Sequence, residues 1–175
     1  MNDLQLNRMM KFDYKKNNIY FITICVKNNI CCLSTINNPI NYSNRKLQLT
    51  HFGQIVKNQI EQIKVQYEYI HIHNYVVMPN HIHLIVELDE EKMLQQTRKV
   101  KSLSVVISSF KITVRKLIRE LDFPTFSWQR INHQHIIQDY DAYIGISEYI
   151  ATNQQNWEQD PFYNTKKRYW SYPDE

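Results

Sequence analysis

Two strand-like runs that lie only two residues apart in the sequence constrain the fold most strongly. They span residues 69–78 and 81–88, and only a Pro-Asn pair separates them. Runs rich in β-branched and aromatic residues that are joined by so short a turn predict an antiparallel hairpin. Alternate residues of a strand point to opposite faces. The apolar face of the second run should therefore meet helices, while His81 and His83 lie on the other face.

The remaining segments predict the order strand, helix, strand, strand, helix, strand, helix. Thr50 is the expected N-cap of the first helix and Asp141 that of the last. This order indicates an α+β fold, with a ferredoxin-like β-α-β-β-α-β antiparallel sheet and an added C-terminal helix. The segments besides the hairpin are a strand at 19–27, a helix at 51–67, a helix at 102–121, a strand at 126–138 and a helix at 141–157.

Length and composition limit the class of protein. A chain of 175 residues fits one domain, and 43% hydrophobic with 22% charged residues excludes a disordered chain. We expect residues 1–11 to form a peripheral arm and 158–175 a peripheral tail. No apolar run is long enough for a membrane span and the start lacks a secretory signal, which predicts a cytoplasmic protein. The net charge of +4 permits an anionic partner.

The cysteines and histidines are the first candidates for a chemical site. Three cysteines close together, at 25, 31 and 32, are predicted to be reduced and structural. Six of the seven histidines form His-x-His pairs, whose spacing in a strand suits two ligands of one divalent cation but is equally typical of a polar strand surface. A two-residue turn would place the first pair opposite the second, so that they could not share a metal, and a one-residue register change would reverse this. The pairs are His71 with His73, His81 with His83, and His133 with His135.

In the last predicted helix, Tyr149 and Asn153 lie four residues apart and so share one face. A phenol and an amide at this spacing suit a nucleophile next to an ion that the amide oxygen helps to bind. The same spacing is also typical of an amphipathic helix whose tyrosine packs on a sheet. Spacing alone does not decide between the two interpretations.

The segment NYVVMPNHIHLIVEL, residues 74–88, resembles the His-hydrophobic-His core of the HUH single-strand DNA transposases that carry one catalytic tyrosine. Among these proteins it is most similar to the REP-associated tyrosine transposases, those linked to repetitive extragenic palindromes. The resemblance extends over most of the chain, in the order that the family has. The other similar blocks are residues 12–28, 49–56, 102–111, 128–137 and 148–163.

The resemblance implies roles for particular residues. His81 and His83 match the metal-binding pair, Tyr149 the nucleophile, and Asn153 the third ligand, with Mg²⁺ or Mn²⁺ as the ion. Gln154 stands where relatives usually have Pro, which makes it an alternative third ligand. The implied reaction is cleavage and rejoining of single-stranded or hairpin DNA through a 5′-phosphotyrosine and a free 3′-OH.

A basic stretch and an aromatic residue are candidates for DNA contacts, with Trp128 as a platform on which bases stack. A solvated helix face is the alternative interpretation of the basic residues. The basic candidates are Lys99, Lys101, Lys111, Arg115 and Arg130. Gln134 and Gln138 differ from the acidic residue and the Arg that are common in the family at the last strand.

Two other functions compete with the nickase. The first is a domesticated protein that binds palindromic hairpin DNA without cleaving it, and the second is a metal-dependent hydrolase that uses the histidine pairs with Glu87. The chain is expected to be a monomer or a homodimer without a membrane partner. His133 and His135 either approach the DNA or form plain strand surface.

Overall fold

The main sheet of the protein has four antiparallel strands, in a computed structural model that describes residues 9–10, 18–37 and 45–163. The elements are β1 (Asn18–Cys25), β2 (Ser34–Ile36), β3 (Leu47–Leu49), α1 (His51–Gln66), β4 (Ile70–Val77), β5 (His81–Leu88), α2 (Glu90–Leu94), α3 (Leu103–Arg119), β6 (His133–Ile136) and α4 (Tyr140–Thr152). The strand order β4-β5-β1-β6 and the α+β class confirm the predicted fold. Strands β2 and β3 form a separate hairpin in the segment before α1.

Helices α1 and α3 cover one face of this sheet and enclose the larger core. Thr50 caps α1 as predicted, because its hydroxyl accepts a hydrogen bond from the Gly53 amide at 3.1 Å. Gly53 is required at this position, since a Cβ atom there would collide with the carbonyl oxygen of Leu33. The buried residues of this core include Ile22, Ile24, Ile82, Leu84, Val56, Ile60, Val106, Ile107 and Phe110.

Helix α4 packs on the opposite face, the one that carries His81 and His83. Tyr143 and Ile150 of the helix pack against Ile19 and Ile85 of the sheet in a second buried cluster. The helix begins at Tyr140 rather than at the predicted N-cap position 141, because Asp139 is the cap and accepts from the Ala142 amide at 2.8 Å. It ends at Thr152, five residues before the predicted end.

Three further predictions differ from the structure. The last strand covers only four residues of the predicted 126–138, because Phe126 and Trp128 pack into the larger core instead. Met9, expected in a peripheral arm, is fully buried with the α4 cluster. Asp160, expected in a peripheral tail, is also buried. Residues 1–8 and 11 of that arm and 164–175 of that tail lie outside the described residues.

A β-bulge reverses the expected orientation of the first histidine pair. Val76 pairs with His83 as the short turn requires, but the register shifts between Ile72 and Asn74, so that His71 pairs with Glu87. One extra residue moves every side chain beyond it to the other face. The prediction that this pair lies opposite the second pair is therefore wrong. The two pairs still contact different residues, since His71 Nε2 lies 3.1 Å from Asp89 Oδ2.

The bulged His73 belongs to a buried polar network that joins β4, β5 and α4. Its Nε2 lies 2.7 Å from Glu87 Oε2 and its Nδ1 lies 3.1 Å from Tyr143 Oη. The side chains of His73 and Glu87 are only 2% and 3% exposed. Buried polar groups of this kind are costly to leave without partners.

We expect Glu87→Ala to lower the free energy of unfolding by about 3–5 kcal/mol, because it removes one partner of a buried, hydrogen-bonded pair. Urea denaturation followed by circular dichroism measures the change. Glu148→Ala, at an exposed carboxylate of α4, is the control and should change stability by less than about 0.5 kcal/mol. Equal stabilities of the two variants would contradict a stabilising role for the network.

Within the described part of the chain, no helix is long and apolar enough to cross a membrane.

Candidate active site

Two histidines and an aspartate meet on the sheet face that α4 covers. His81 Nε2 and His83 Nε2, both from β5, are 3.0 Å apart, and Asp160 Oδ2 lies 3.8 Å from His81 Nε2. All three ligating atoms lie within 4.8 Å of one another, and all three residues are buried. We call these three residues the histidine-aspartate cluster.

Hydrogen bonds on the far side of each ring orient the two imidazoles. Asn80 Nδ2 donates to the Phe162 carbonyl at 3.0 Å, so its Oδ1 accepts from His81 Nδ1 at 2.8 Å. His83 Nδ1 lies 2.8 Å from Thr23 Oγ1. Burial lowers the pKa of His81 to about 3, and burial next to His81 likewise lowers the pKa of His83. His81 is therefore neutral at pH 7, and its Nε2 lone pair faces the cluster.

The cluster fits a divalent cation. Two cis ligands of an octahedral ion with bonds of about 2.1 Å are about 3.0 Å apart, which matches the separation of the two Nε2 atoms. Imidazole nitrogen and carboxylate oxygen are ordinary ligands of first-row divalent metals. Asn153 Oδ1 is also buried and has no hydrogen-bond partner among the described residues. These atoms offer a site for a divalent ion.

The two residues considered as a third ligand point in different directions. Asn153, the C-cap of α4, donates from Nδ2 to Asp160 Oδ2 at 2.8 Å and so reaches the cluster. Gln154 instead accepts from the backbone amide of Leu47 at 3.2 Å, on the side of β3. The structure therefore brings Asn153 to the site, together with Asp160, and turns Gln154 away.

Tyr149 lies against this cluster. Its Oη is 3.2 Å from His83 Nε2 and donates a hydrogen bond to Asp160 Oδ2 at 3.0 Å. The pKa of the Tyr149 phenol is raised well above its usual range, mainly by burial and also by the negative charge of Asp160. The phenol is therefore protonated at neutral pH, and a positive charge at the cluster is needed to favour the phenolate.

Aromatic rings surround the cluster. The Phe162 ring centroid is 4.8 Å from that of His81, and Phe21 stacks on His83 at 5.1 Å. His133 pairs with Thr23, which in turn pairs with His83, so both histidines lie on one face. His133 lies 6.0 Å from Phe162, and His135 contacts Phe21 edge-on at 5.1 Å. The third histidine pair therefore borders the site, and both of its side chains are exposed.

Asp160 is the residue that sequence reasoning missed. It follows Tyr149 by eleven residues, in a stretch with no helical or strand periodicity. A short 3₁₀-helix, Trp157–Gln159, turns the chain back so that Asp160 meets β5. Asp160 lies within residues 148–163, one of the blocks that resemble the family. That resemblance is the only sequence signal for this segment.

The predicted DNA contacts occupy different environments. Trp128 is only 6% exposed and packs against Phe110 and Phe126, so it is not a stacking platform, and that prediction is wrong. Lys111 is held by the protein itself, since its Nζ donates to the Gln129 carbonyl at 2.7 Å. The other basic candidates, Lys99, Lys101, Arg115 and Arg130, are exposed.

Comparisons with known proteins identify relatives of the chain. No family model matches it. It is 32% identical over 169 residues to an uncharacterized protein of Haemophilus influenzae, a match that covers 89% of this chain and 91% of that protein. Among solved structures it is similar to a REP-associated tyrosine transposase bound to a REP hairpin, with a TM-score of 0.55 and 20% identity. That match covers 78% of this chain and 66% of the other, just under two thirds, and it shows the fold.

Proposed function

We propose that this chain, which belongs to the same family as the Haemophilus influenzae protein and has the fold of the REP-associated tyrosine transposases, cleaves and rejoins DNA through a covalent phosphotyrosine. One observation carries the proposal. The Tyr149 hydroxyl lies within 3.2 Å of His83 Nε2 and within 3.0 Å of Asp160 Oδ2, in a cluster that fits a divalent cation. This geometry supports the proposal that Tyr149 is the nucleophile and that a divalent ion beside it is the electrophilic centre.

In the proposed reaction, Tyr149 Oη forms a bond to the phosphorus of the scissile phosphodiester and the bond from phosphorus to the 3′-oxygen breaks. The products are a 5′-phosphotyrosine and a free 3′-OH, which takes its proton from solvent. The phenolic proton leaves along the hydrogen bond to Asp160 and passes to solvent, so that the carboxylate stays available to the ion. Attack by another 3′-OH on the phosphotyrosine reverses these bonds and joins two strand ends without a nucleotide cofactor.

His81, His83 and Asp160 would bind the ion, which we propose to be Mg²⁺ or Mn²⁺. When bound, such an ion neutralises charge on the phosphate and lowers the pKa of a neighbouring phenol. Asn153 holds the Asp160 carboxylate through its Nδ2, and its buried Oδ1 has no hydrogen-bond partner within the described part of the chain. Carboxamide oxygen is a suitable ligand for both ions, so the role implied for Asn153 by the resemblance stays a prediction.

The substrate we propose is single-stranded or hairpin DNA. The structural neighbour was solved with a REP hairpin, which makes hairpins with single-stranded flanks the first substrates to test. The net charge of +4 and the exposed Lys99, Lys101, Arg115 and Arg130 favour a polyanion. Because His81 is fully buried beneath the Phe162 ring, this ring must move before a phosphate contacts the cluster.

The test is to incubate the protein with hairpin oligonucleotides taken from the DNA that flanks its gene, in Mn²⁺, in Mg²⁺ or in EDTA. We expect a covalent protein-DNA adduct on denaturing gels with a metal, and none in EDTA. Oligonucleotides of shuffled sequence are the control for specificity. Tight binding without an adduct in either metal would contradict the cleavage reaction and favour the hairpin-binding protein that does not cut.

A further inference from the structure

A groove between α3 and the segment 127–132, which we call the α3–β6 groove, is lined by three basic residues. It encloses about 380 Å³, within the range of about 300–1,000 Å³ that is usual for small-ligand sites. None of the residues that line it is acidic. The lining residues are Ser108, Lys111, Ile112, Arg115, Ser127, Trp128, Gln129, Arg130 and Asn132.

Lys111 keeps the wall of this groove in place. Its Nζ donates to the Gln129 carbonyl and to Asn132 Oδ1, both at 2.7 Å, and lies 3.3 Å from the Arg130 carbonyl. All three acceptors are neutral, and no carboxylate among the described residues forms an ion pair with Lys111. The site is therefore preorganised, which lowers the entropic cost of binding a ligand there.

Trp128 supplies a second feature of the groove. It lines the groove but is only 6% exposed. Its Nε1 has no hydrogen-bond partner among the described residues. Nε1 is itself buried, so a ligand in the groove would contact only the exposed edge of the indole ring. Ile112, also in the lining, is 58% exposed and offers an apolar surface.

The wall of the groove is hydrogen-bonded to the end of β1 and to the residues that follow it. The Gln129 amide donates to the Cys25 carbonyl, and the Lys27 amide donates to the Ser127 carbonyl, both at 2.8 Å. Cys25 pairs directly with His81 across β1 and β5. The wall of the groove is thus bonded to the strand end that adjoins the histidine-aspartate cluster.

We propose that the α3–β6 groove binds one nucleotide of the single strand that flanks the scissile phosphate. Arg115 and Arg130 would bind its phosphate, and its base would lie on Ile112, beside the exposed edge of Trp128. This assignment deepens the proposed function and rests on it.

The test uses the Tyr149→Phe protein, which cannot form the adduct, and an oligothymidylate of about 12 nucleotides. Fluorescence anisotropy measures the affinity over a range of salt concentrations. We expect Arg115→Ala plus Arg130→Ala to reduce the slope of log K against log salt by about 1.4, which is about 0.7 for each lost phosphate contact on a single strand. Replacement of both arginines by lysine should keep the slope, because the charges remain.

The control is Lys57→Ala plus Lys64→Ala, which removes two exposed charges from α1 and should leave the slope unchanged. A second measurement follows the indole Nε1–H resonance of Trp128, assigned by its loss in Trp128→Phe. It should shift when the oligonucleotide binds the parent protein and stay in place in the arginine-to-alanine variant. DNA binding with an unchanged slope and an unshifted Trp128 resonance would overturn the groove assignment alone. Failure of every variant to bind DNA would overturn the proposed function together with it.

Discussion

We expect Tyr149→Phe to abolish formation of the protein-DNA adduct, with a loss of more than about 10³-fold in yield. The variant lacks the oxygen that lies 3.2 Å from His83 Nε2, and a phenyl ring cannot form a phosphate ester. The aromatic contacts with His83 and Phe21, at 5.2 and 6.2 Å between centroids, remain possible for phenylalanine. The fold and the affinity for DNA should therefore be nearly unchanged.

Denaturing gels measure the adduct and anisotropy measures the DNA affinity of the same preparations. Tyr140→Phe is the matched control, because Tyr140 is a partly buried residue of the same helix and lies away from the cluster. It should keep full adduct yield. An adduct that survives in Tyr149→Phe would contradict the nucleophile assignment, and mass spectrometry of the DNA-linked peptide would then identify the residue that attacks.

The elements that local sequence determines could be predicted. The short Pro-Asn turn fixes the pairing of β4 with β5 near the turn, and Met78 donates to the His81 carbonyl as that turn requires. The Thr50 cap and the apolar spacing of α1 are also local signals. These features need only neighbouring residues, so they do not depend on the rest of the chain.

The features that depend on distant contacts could not be predicted. The bulge at His73 has no sequence signal, and its extra residue fits because the side chain finds Glu87 and Tyr143 in the buried network. The sequence predicts Trp128 on a strand surface, but the residue is buried because it packs against Phe110 of α3. In both cases tertiary packing decides which face a side chain takes.

The candidate site likewise has residues that local sequence predicts and one residue that depends on a distant contact. His81 and His83 lie on one face because of strand periodicity, and the family resemblance singled out Tyr149 on the following helix. Asp160 reaches the cluster only because the chain turns after Trp157, which packs against Met78 beside the sheet. No periodic pattern links a carboxylate in such a turn to a strand that lies nearly eighty residues earlier.

The role of Asp160 leads to the second prediction with a large expected effect. Asp160→Ala should weaken Mn²⁺ binding by at least about 10²-fold, because it removes the one carboxylate of the histidine-aspartate cluster. Asn153→Ala should weaken it by about 10- to 100-fold, the usual cost of losing a residue that orients a ligand. Isothermal titration with Mn²⁺ measures both affinities, and circular dichroism checks that each variant is folded.

Glu148→Ala is the matched control, since it removes an exposed carboxylate next to Tyr149 and should bind Mn²⁺ as the unaltered chain does. Adduct yield should follow the metal affinity across the series, because Asp160 also accepts the hydrogen bond of the nucleophile at 3.0 Å. A larger loss of Mn²⁺ affinity in Asn153→Ala than in Asp160→Ala would reverse the two roles. Asn153 would then be the third ligand, bound through the buried Oδ1 that has no partner among the described residues, and Asp160 would orient it.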